Sequence, residues 1–368
     1  MRSILNPKTG YLDYDAIFEN DVDVYVILGQ RADGKTYGIL KCAVNDFLGG
    51  DYPSAYVRRF DETLRKSNLQ DLIKPHHATI KKTSRGKYNA TEYKSKRFYM
   101  ASIDDDLHKT TSPTPFLYCY SLNTWENSKG PDSGIFKYII FDEFVSFNKY
   151  LPNEYTAFEN VLSSVLRNRG ESKLIMLGNP VNQICPYFDE FDIDPHKLKP
   201  GDIIYRVSKN GYKLKFVYVP PMDAKRRKSD KFFQFRKNDS SISTGYWEFG
   251  EFPHVPGGLI KSATKFFEFA ILFKNQTAVC EFYTYNNVVF CFWRPGNTDK
   301  ILESGMLLFS DVHFFADHVR TAWTRDPVTL AYDDCVRNNR QYFANNRTGN
   351  LVEQWYTIFV RTAGRFGK

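Results

Sequence analysis

Gly29, Gln30, Arg31, Ala32, Asp33, Gly34, Lys35 and Thr36 give a full match to the phosphate-loop pattern G-x-x-x-x-G-K-[ST]. An apolar run at 23–28 (DVYVIL) leads in and a helical stretch from about 35 to 47 leads out, which is the context that phosphate binding needs. The glycines let successive backbone N–H groups curl around a β-phosphate, at a helix N-terminus whose dipole favours anions. Lys35 would reach the β- and γ-phosphates, and the Thr36 hydroxyl would ligate Mg²⁺. ATP and Mg²⁺ are therefore the expected cofactors. A plain glycine turn before a helix is the alternative.

A second constellation is Tyr138–Ile–Ile–Phe–Asp142–Glu143, an apolar strand ending in two carboxylates. This is the Walker B arrangement: Asp142 would hold Mg²⁺, and Glu143 would orient and polarise the attacking water. Alone it says little, because strands often end in acidic turns; downstream of a phosphate loop it becomes specific. The paired acids favour a motor-type ATPase over a signalling GTPase, and no Asn-Lys-x-Asp guanine reader occurs. Asn179 follows the run at 173–177 (KLIML) and Gly178, where it could sense the water or the γ-phosphate; a strand-ending Gly-Asn turn would look the same. Arg31 could touch the γ-phosphate from within the loop. Arg167 and Arg169 close the helix after Walker B, and residues two apart on a helix cannot share a face, so at most one would enter a neighbour's site. Lys129 is a further basic candidate. Without analogy, each of these cations reads equally as a surface ion-pair residue.

These residues need an α/β scaffold. Apolar strands are expected at 23–28, 54–58, 136–141 and 173–177, with a helix between the last two whose apolar positions Ala157, Phe158, Val161, Leu162, Val165 and Leu166 recur at helical spacing. Gly170 would end it. The pattern supports an ATPase domain over 1–200. Residues 201–256 are basic and rich in Ser, Gly and Pro, and are expected to form a linker or hinge. A third region, 257–368, opens with three strand-like runs separated by Lys274–Asn275 and Asn286–Asn287, a meander pattern followed by helical stretches such as LVEQWYTIFV.

Composition sets the remaining bounds. With 368 residues, 42% hydrophobic and 25% charged, the chain has a globular balance and room for two or three domains. Core filling accounts for most of the 16% aromatic content, leaving base stacking a minority share. A net charge of +8 favours a polyanionic partner. The excess is concentrated: 74–97 carries eight Lys or Arg against Glu92, and 206–237 carries eleven against Asp223 and Asp230. Either run suits a solvated face or a track for a phosphate backbone. Cys42, Cys119, Cys185, Cys280, Cys291 and Cys335 are scattered, with no Cys-x-x-Cys pair, and read as reduced core residues of an intracellular protein. The first residues lack the apolar core of a signal peptide, and the longest apolar runs are far too short to span a membrane, so no membrane partner is expected.

Together, YVILGQRADGKTYGILK, SAYVRRF, LNTWENSKG, YIIFDEFVSFNKYLPNEYTAFENVLSSVLRNRG and LGNPVNQICPYF resemble the DNA-packaging ATPases of phi-29-like small tailed phages, which are terminase-like encapsidation motors. The similarity covers most of 11–190, and its last two blocks are the most specific. The resemblance implies an additional-strand catalytic-glutamate (ASCE) P-loop core with a parallel-type central sheet. A linker and a C-terminal α+β domain resembling a vestigial RNase H-like nuclease would follow. It implies a homopentameric ring on the portal of a procapsid that threads double-stranded DNA inward, with a packaging RNA in some members. Such a protein works in the host cytoplasm, transiently on the procapsid, and is not expected in the mature virion. By motif, Lys35, Thr36, Asp142 and Glu143 keep the roles above, Arg167 matches the family's trans-acting finger, and Lys129 matches a basic residue acting between subunits. Two departures stand out. The stretch from about 75 to 97 is longer and more basic than the family pattern. The C-terminal runs offer only Glu268 and Glu281, too few acids to hold two metals, so no nuclease activity is expected. The rival readings are a helicase or a terminase with a live nuclease, and a non-hydrolysing nucleotide- and RNA-binding scaffold.

Overall fold

Asp13 starts the first helix: its carboxylate caps the one-turn α1 (Tyr14–Ile17) by accepting from the Asp15 and Ala16 amides. In this computed structural model the described residues are 3–50, 52–124, 135–146, 150–151, 153–166, 172–181, 185–221, 252–256, 258–273, 275–312, 314, 316–324 and 326–356. The chain divides into two compact units, Met1–Glu248 and Phe249–Lys368.

In the first unit α1 is followed by β1 (Val24–Leu28), α2 (Lys35–Gly50), β2 (Ser54–Arg58), α3 (Lys66–Ile73), α4 (His77–Thr83), β3 (Ala90–Lys94), β4 (Arg97–Ile103), β5 (Lys109–Thr111) and β6 (Leu117–Ser121). Then come β7 (Tyr138–Asp142), α5 (Glu154–Leu166), β8 (Lys173–Gly178), α6 (Pro186–Glu190), β9 (Ile203–Val207) and β10 (Lys213–Tyr218). The strands form one sheet in the order β3-β4-β6-β2-β7-β8-β1-β10-β9, with β5 beside β4. From β6 to β10 every pairing is parallel, and both edges are antiparallel. The sheet is thus mixed, with a parallel centre.

That centre is covered on both faces, which is why its strands read as unbroken apolar runs. Alternate residues point to opposite faces. Tyr25, Ile27, Tyr138 and Ile140 join one core with Ile39, Leu40, Val44 and Phe47 of α2. Val26, Leu28, Ile139 and Phe141 join the other, with Phe158 and Val161 of α5.

One expectation changes, and one segment that the sequence left unplaced gains a position. The sheet does not stop at 200: β10 lies parallel to β1 and β9 closes the edge, so the start of the expected linker at 201–256 belongs to the sheet of the first unit. The basic stretch at 74–97 forms α4 and a hairpin at the other edge, turned by Ser95 and Lys96 with φ of 51° and 56°.

In the second unit β11 (Thr264–Phe273), β12 (Gln276–Tyr285) and β13 (Val288–Pro295) form the expected antiparallel meander. Asn286 and Asn287 turn its second hairpin with φ of 49° and 60°. Three short strands, β14 (Leu308–Ser310), β15 (Val319–Arg320) and β16 (Gln341–Phe343), extend it in parallel, giving the order β15-β14-β11-β12-β13-β16. Rings of Phe269, Trp293, Phe309, Tyr332 and Trp355 meet in its core, largely edge-on, as core-filling aromatics do.

Candidate nucleotide site

The phosphate loop leaves β1 at Leu28 and enters α2 at Lys35. Its curl needs left-handed backbone at Ala32 (φ 63°) and Gly34 (φ 86°), and the latter position suits glycine. A Cβ on Gly29 would stand 2.2 Å from Asp33 Oδ2 and 2.9 Å from Val219 Cβ, so this position too has room only for hydrogen. The N-terminal segment fastens the loop from outside: the Leu12 amide donates to Asp33 O at 3.1 Å, and the Tyr14 hydroxyl donates to Lys35 O at 2.6 Å.

Lys35 Nζ is the hub. It donates to Gly29 O (2.9 Å), Gln30 O (2.6 Å) and Asn179 Oδ1 (3.1 Å), and lies 2.9 and 3.0 Å from the two carboxylate oxygens of Asp33. The structure therefore joins Asn179, at the end of β8, to the phosphate-loop lysine. Burial pushes the Asp33 carboxyl above its usual value, against the pull of Lys35.

Thr36 Oγ1 lies 3.2 Å from Asp142 Oδ1, joining the start of α2 to the end of β7. A hydroxyl and a carboxylate this close are hard oxygen donors of the kind Mg²⁺ takes, and they leave most of its coordination to phosphate and water. The residues present fit the expected cofactors. A cleft of ≈ 420 Å³ is lined by Arg31, Lys35, Thr36, Asp142, Glu143 and Asn179 among others. Arg31 is exposed on its wall. An adjoining cleft of ≈ 780 Å³ is lined by Tyr11, Gly34, Tyr37, Lys41 and Asn45 among others.

The neighbouring strand β2 and the residue just after it supply three side chains to which the sequence reading gave no role. Tyr56 donates its hydroxyl to Asp142 Oδ2 at 2.6 Å. Arg58 bridges the acids, with Nη1 3.3 Å from Asp142 Oδ2 and Nη2 2.5 Å from Glu143 Oε2. Burial opposes the charge on Arg58, but Tyr56, Asp142 and Glu143 outweigh it and raise its pKa. Arg59 reaches under the same turn, donating to the carbonyls of Glu143 (3.0 Å) and Phe144 (2.7 Å) and to Glu154 at the start of α5. Glu143 itself has φ of 60°, a conformation uncommon outside glycine that these bonds hold in place. The legible signal was the pair of arginines ending an apolar run in SAYVRRF. Lys129, Arg167 and Arg169 lie outside the described residues.

In the second unit, Glu268 and Glu281 face each other across β11 and β12. Lys265 Nζ is 2.9 Å from Glu268 and 3.4 Å from Glu281, while Arg294 Nε donates to Glu281 at 2.8 Å. Burial pushes the Glu281 carboxyl up, yet bonds from Arg294 and Tyr283 hold it below its usual value. Cations already satisfy this pair. Among the described residues no group of three or more His, Cys, Asp or Glu could hold a metal, and no helix is long and apolar enough to cross a membrane.

A family model described as Podovirus DNA encapsidation protein (Gp16) matches residues 6–210, more than half of the 368-residue chain. The DNA packaging protein of Bacillus phage phi29 is 30% identical over 197 residues, covering 52% of this chain and 50% of the relative. That of Bacillus phage B103 is 29% identical over 234 residues, 61% of each. The chain thus matches half to three-fifths of the length of these curated relatives. A solved structure of the bacteriophage Phi-29 viral genome packaging motor assembly is similar over 94% of this chain and 98% of that one, with a TM-score of 0.57 and 18% identity. At that identity the likeness is one of fold.

Proposed function

Since the chain belongs to the Podovirus DNA encapsidation protein (Gp16) family, we propose that it is an ATP-driven motor that moves viral double-stranded DNA into a procapsid through the portal. The observation that carries the reading is the 3.2 Å contact between Thr36 and Asp142 with Lys35 beside it, a site built for a metal-bound triphosphate. Held by Thr36 and Asp142, Mg²⁺ would supply neutralisation of the negative charge that develops on the phosphates. Lys35 and the loop amides orient the phosphates, Thr36 and Asp142 hold the metal, and Glu143 accepts the proton of the attacking water. Arg58 holds Glu143 and Asp142 together in one ion-pair network, so water activation requires the Glu143 carboxylate to exchange Arg58 for water. Asn179 reports on the phosphate through its bond to Lys35.

On this reading the subunits form a homopentameric ring, Arg167 reaches a neighbour's site as a finger, and Lys129 acts across the same boundary. Arg31 contacts the γ-phosphate in cis. A packaging RNA joins ring and portal, as in some members of the family. The antiparallel meander with parallel strands beyond it supports an RNase H-like second domain, and the clamped Glu268–Glu281 pair supports its loss of nuclease activity. Residues 219–256 serve as the linker. The motor acts in the host cytoplasm, on the procapsid and not in the mature virion.

The test is DNA-stimulated ATPase activity of Glu143→Gln beside wild type, where a lost general base lowers turnover about 100-fold or more. Nucleotide uptake should persist. Equal turnover would end the proposal. Mixing Arg167→Ala with Lys35→Ala subunits tests the finger: partial recovery of hydrolysis is expected, and no recovery removes that assignment.

A further inference from the structure

The phosphate-loop pattern leaves the position of Asp33 open, so nothing in phosphate binding asks for a carboxylate there. This one is turned inward. Asp33 and Lys35 side chains are only 3% and 7% exposed, and both carboxylate oxygens lie within hydrogen-bond distance of Lys35 Nζ. The other partners of that ammonium are two loop carbonyls and the Asn179 amide oxygen. Among the described residues, Asp33 is therefore the anion that Lys35 is paired with. The carboxylate lies within the curl of the loop, 2.2 Å from where a Cβ on Gly29 would stand. It also accepts from the Lys35 amide at 3.1 Å, one of the first N–H groups of α2. An ammonium, a helix-start amide and a glycine-lined curl are what a loop of this kind offers a β-phosphate.

A phosphate and this carboxylate cannot both have them. Two anions brought to one buried cation repel each other strongly, because little water screens them. Capping alone would explain the bond to the amide, but a cap needs only an oxygen, which Asn or Ser provides as well. The charge is the surplus feature.

We infer that Asp33 is a resident counter-anion of the phosphate loop, exchanged for the β-phosphate when a nucleoside di- or triphosphate binds and returning to Lys35 to expel the product nucleoside diphosphate. The inference rests on the reading of this loop as the ATP site. Its consequence is kinetic: the carboxylate shortens the stay of ADP, so the site empties for the next cycle.

The experiment measures equilibrium binding and stopped-flow release of N-methylanthraniloyl-ADP from the full chain in wild type, Asp33→Asn, Asp33→Ser and Lys35→Ala. Asn and Ser keep the cap and remove the charge. Both are expected to tighten binding about tenfold, equivalent to about 1.4 kcal/mol, chiefly through slower release. Lys35→Ala should lose binding. Release from Asp33→Asn and Asp33→Ser at the wild-type rate or faster overturns the role of Asp33 while leaving the ATP site intact. No uptake by wild type overturns the ATP site itself, and Asp33 with it.

Discussion

Arg59 and Glu154 form a buried, two-pronged ion pair: Nε is 2.7 Å from Oε2 and Nη2 is 2.9 Å from Oε1, with the side chains 7% and 1% exposed. Tyr187 donates to the same carboxylate at 2.9 Å, and the Leu151 amide at 2.8 Å, so its lone pairs are well used. The pair ties α5 to the turn that carries Glu143. Breaking a buried pair from one side leaves an uncompensated charge, so Glu154→Gln should cost about 3 kcal/mol or more. Urea unfolding would measure it. A loss below about 1 kcal/mol would make the pair no stronger than one on the surface.

Tyr56 stands behind Asp142 and orients it from β2. Outer-shell partners of metal ligands typically carry about 10–100-fold in metal affinity. Tyr56→Phe is expected to raise the Mg²⁺ concentration for half-maximal ATPase activity about tenfold. An unchanged Mg²⁺ requirement would remove Asp142 from the metal's ligands or Tyr56 from its support.

His76 gives the first unit a dependence on pH. Its ring is fully buried under Tyr37, at 4.4 Å and 20°, with neither nitrogen hydrogen-bonded among the described residues. Burial, helped by the charges of His77 and Lys41, lowers its pKa from 6.5 to about 4. The unfolded ring takes a proton that the folded ring refuses. Stability is thus complete above the unfolded value and falls as pH drops towards 4, by roughly 3 kcal/mol across the window. His76→Phe should flatten that slope, read as the urea midpoint at neutral pH and at about pH 5. An identical slope in the variant would assign the dependence elsewhere.

The Glu268–Glu281 pair predicts a negative result with a clear reversal. Incubation with plasmid DNA and Mn²⁺ should give no cleavage, since Lys265 and Arg294 already neutralise both acids. Cleavage abolished by Glu268→Gln or Glu281→Gln would restore the live-nuclease alternative.

What could be read from the chain followed from local pattern. The phosphate loop, the strand ending at Asp142 and the meander after Thr264 each announce themselves by spacing and apolar period, and each folds where expected. What could not be read depends on neighbours distant in the chain. Tyr56, Arg58 and Arg59 reach the site because β2 lies beside β7, a pairing no local pattern reveals. Asp33 hides in a position that the motif leaves blank. β10 is not legible because Lys213 and Lys215 give KLKFVY the texture of a basic linker. In the fold Lys215 is 2% exposed, and its ammonium donates to Ile17 O at 2.8 Å, which satisfies a charge that otherwise argues against a buried strand.

The placement of β10 has a mechanical consequence. Its last residue pairs with Leu28, and the next amide, Val219, donates to the Leu28 carbonyl at 2.8 Å while its side chain crowds Gly29. A tug on the chain beyond Pro220 therefore has almost no slack to take up before it strains the base of the loop at Gly29. Recoil of that base would travel outward along the same short tether.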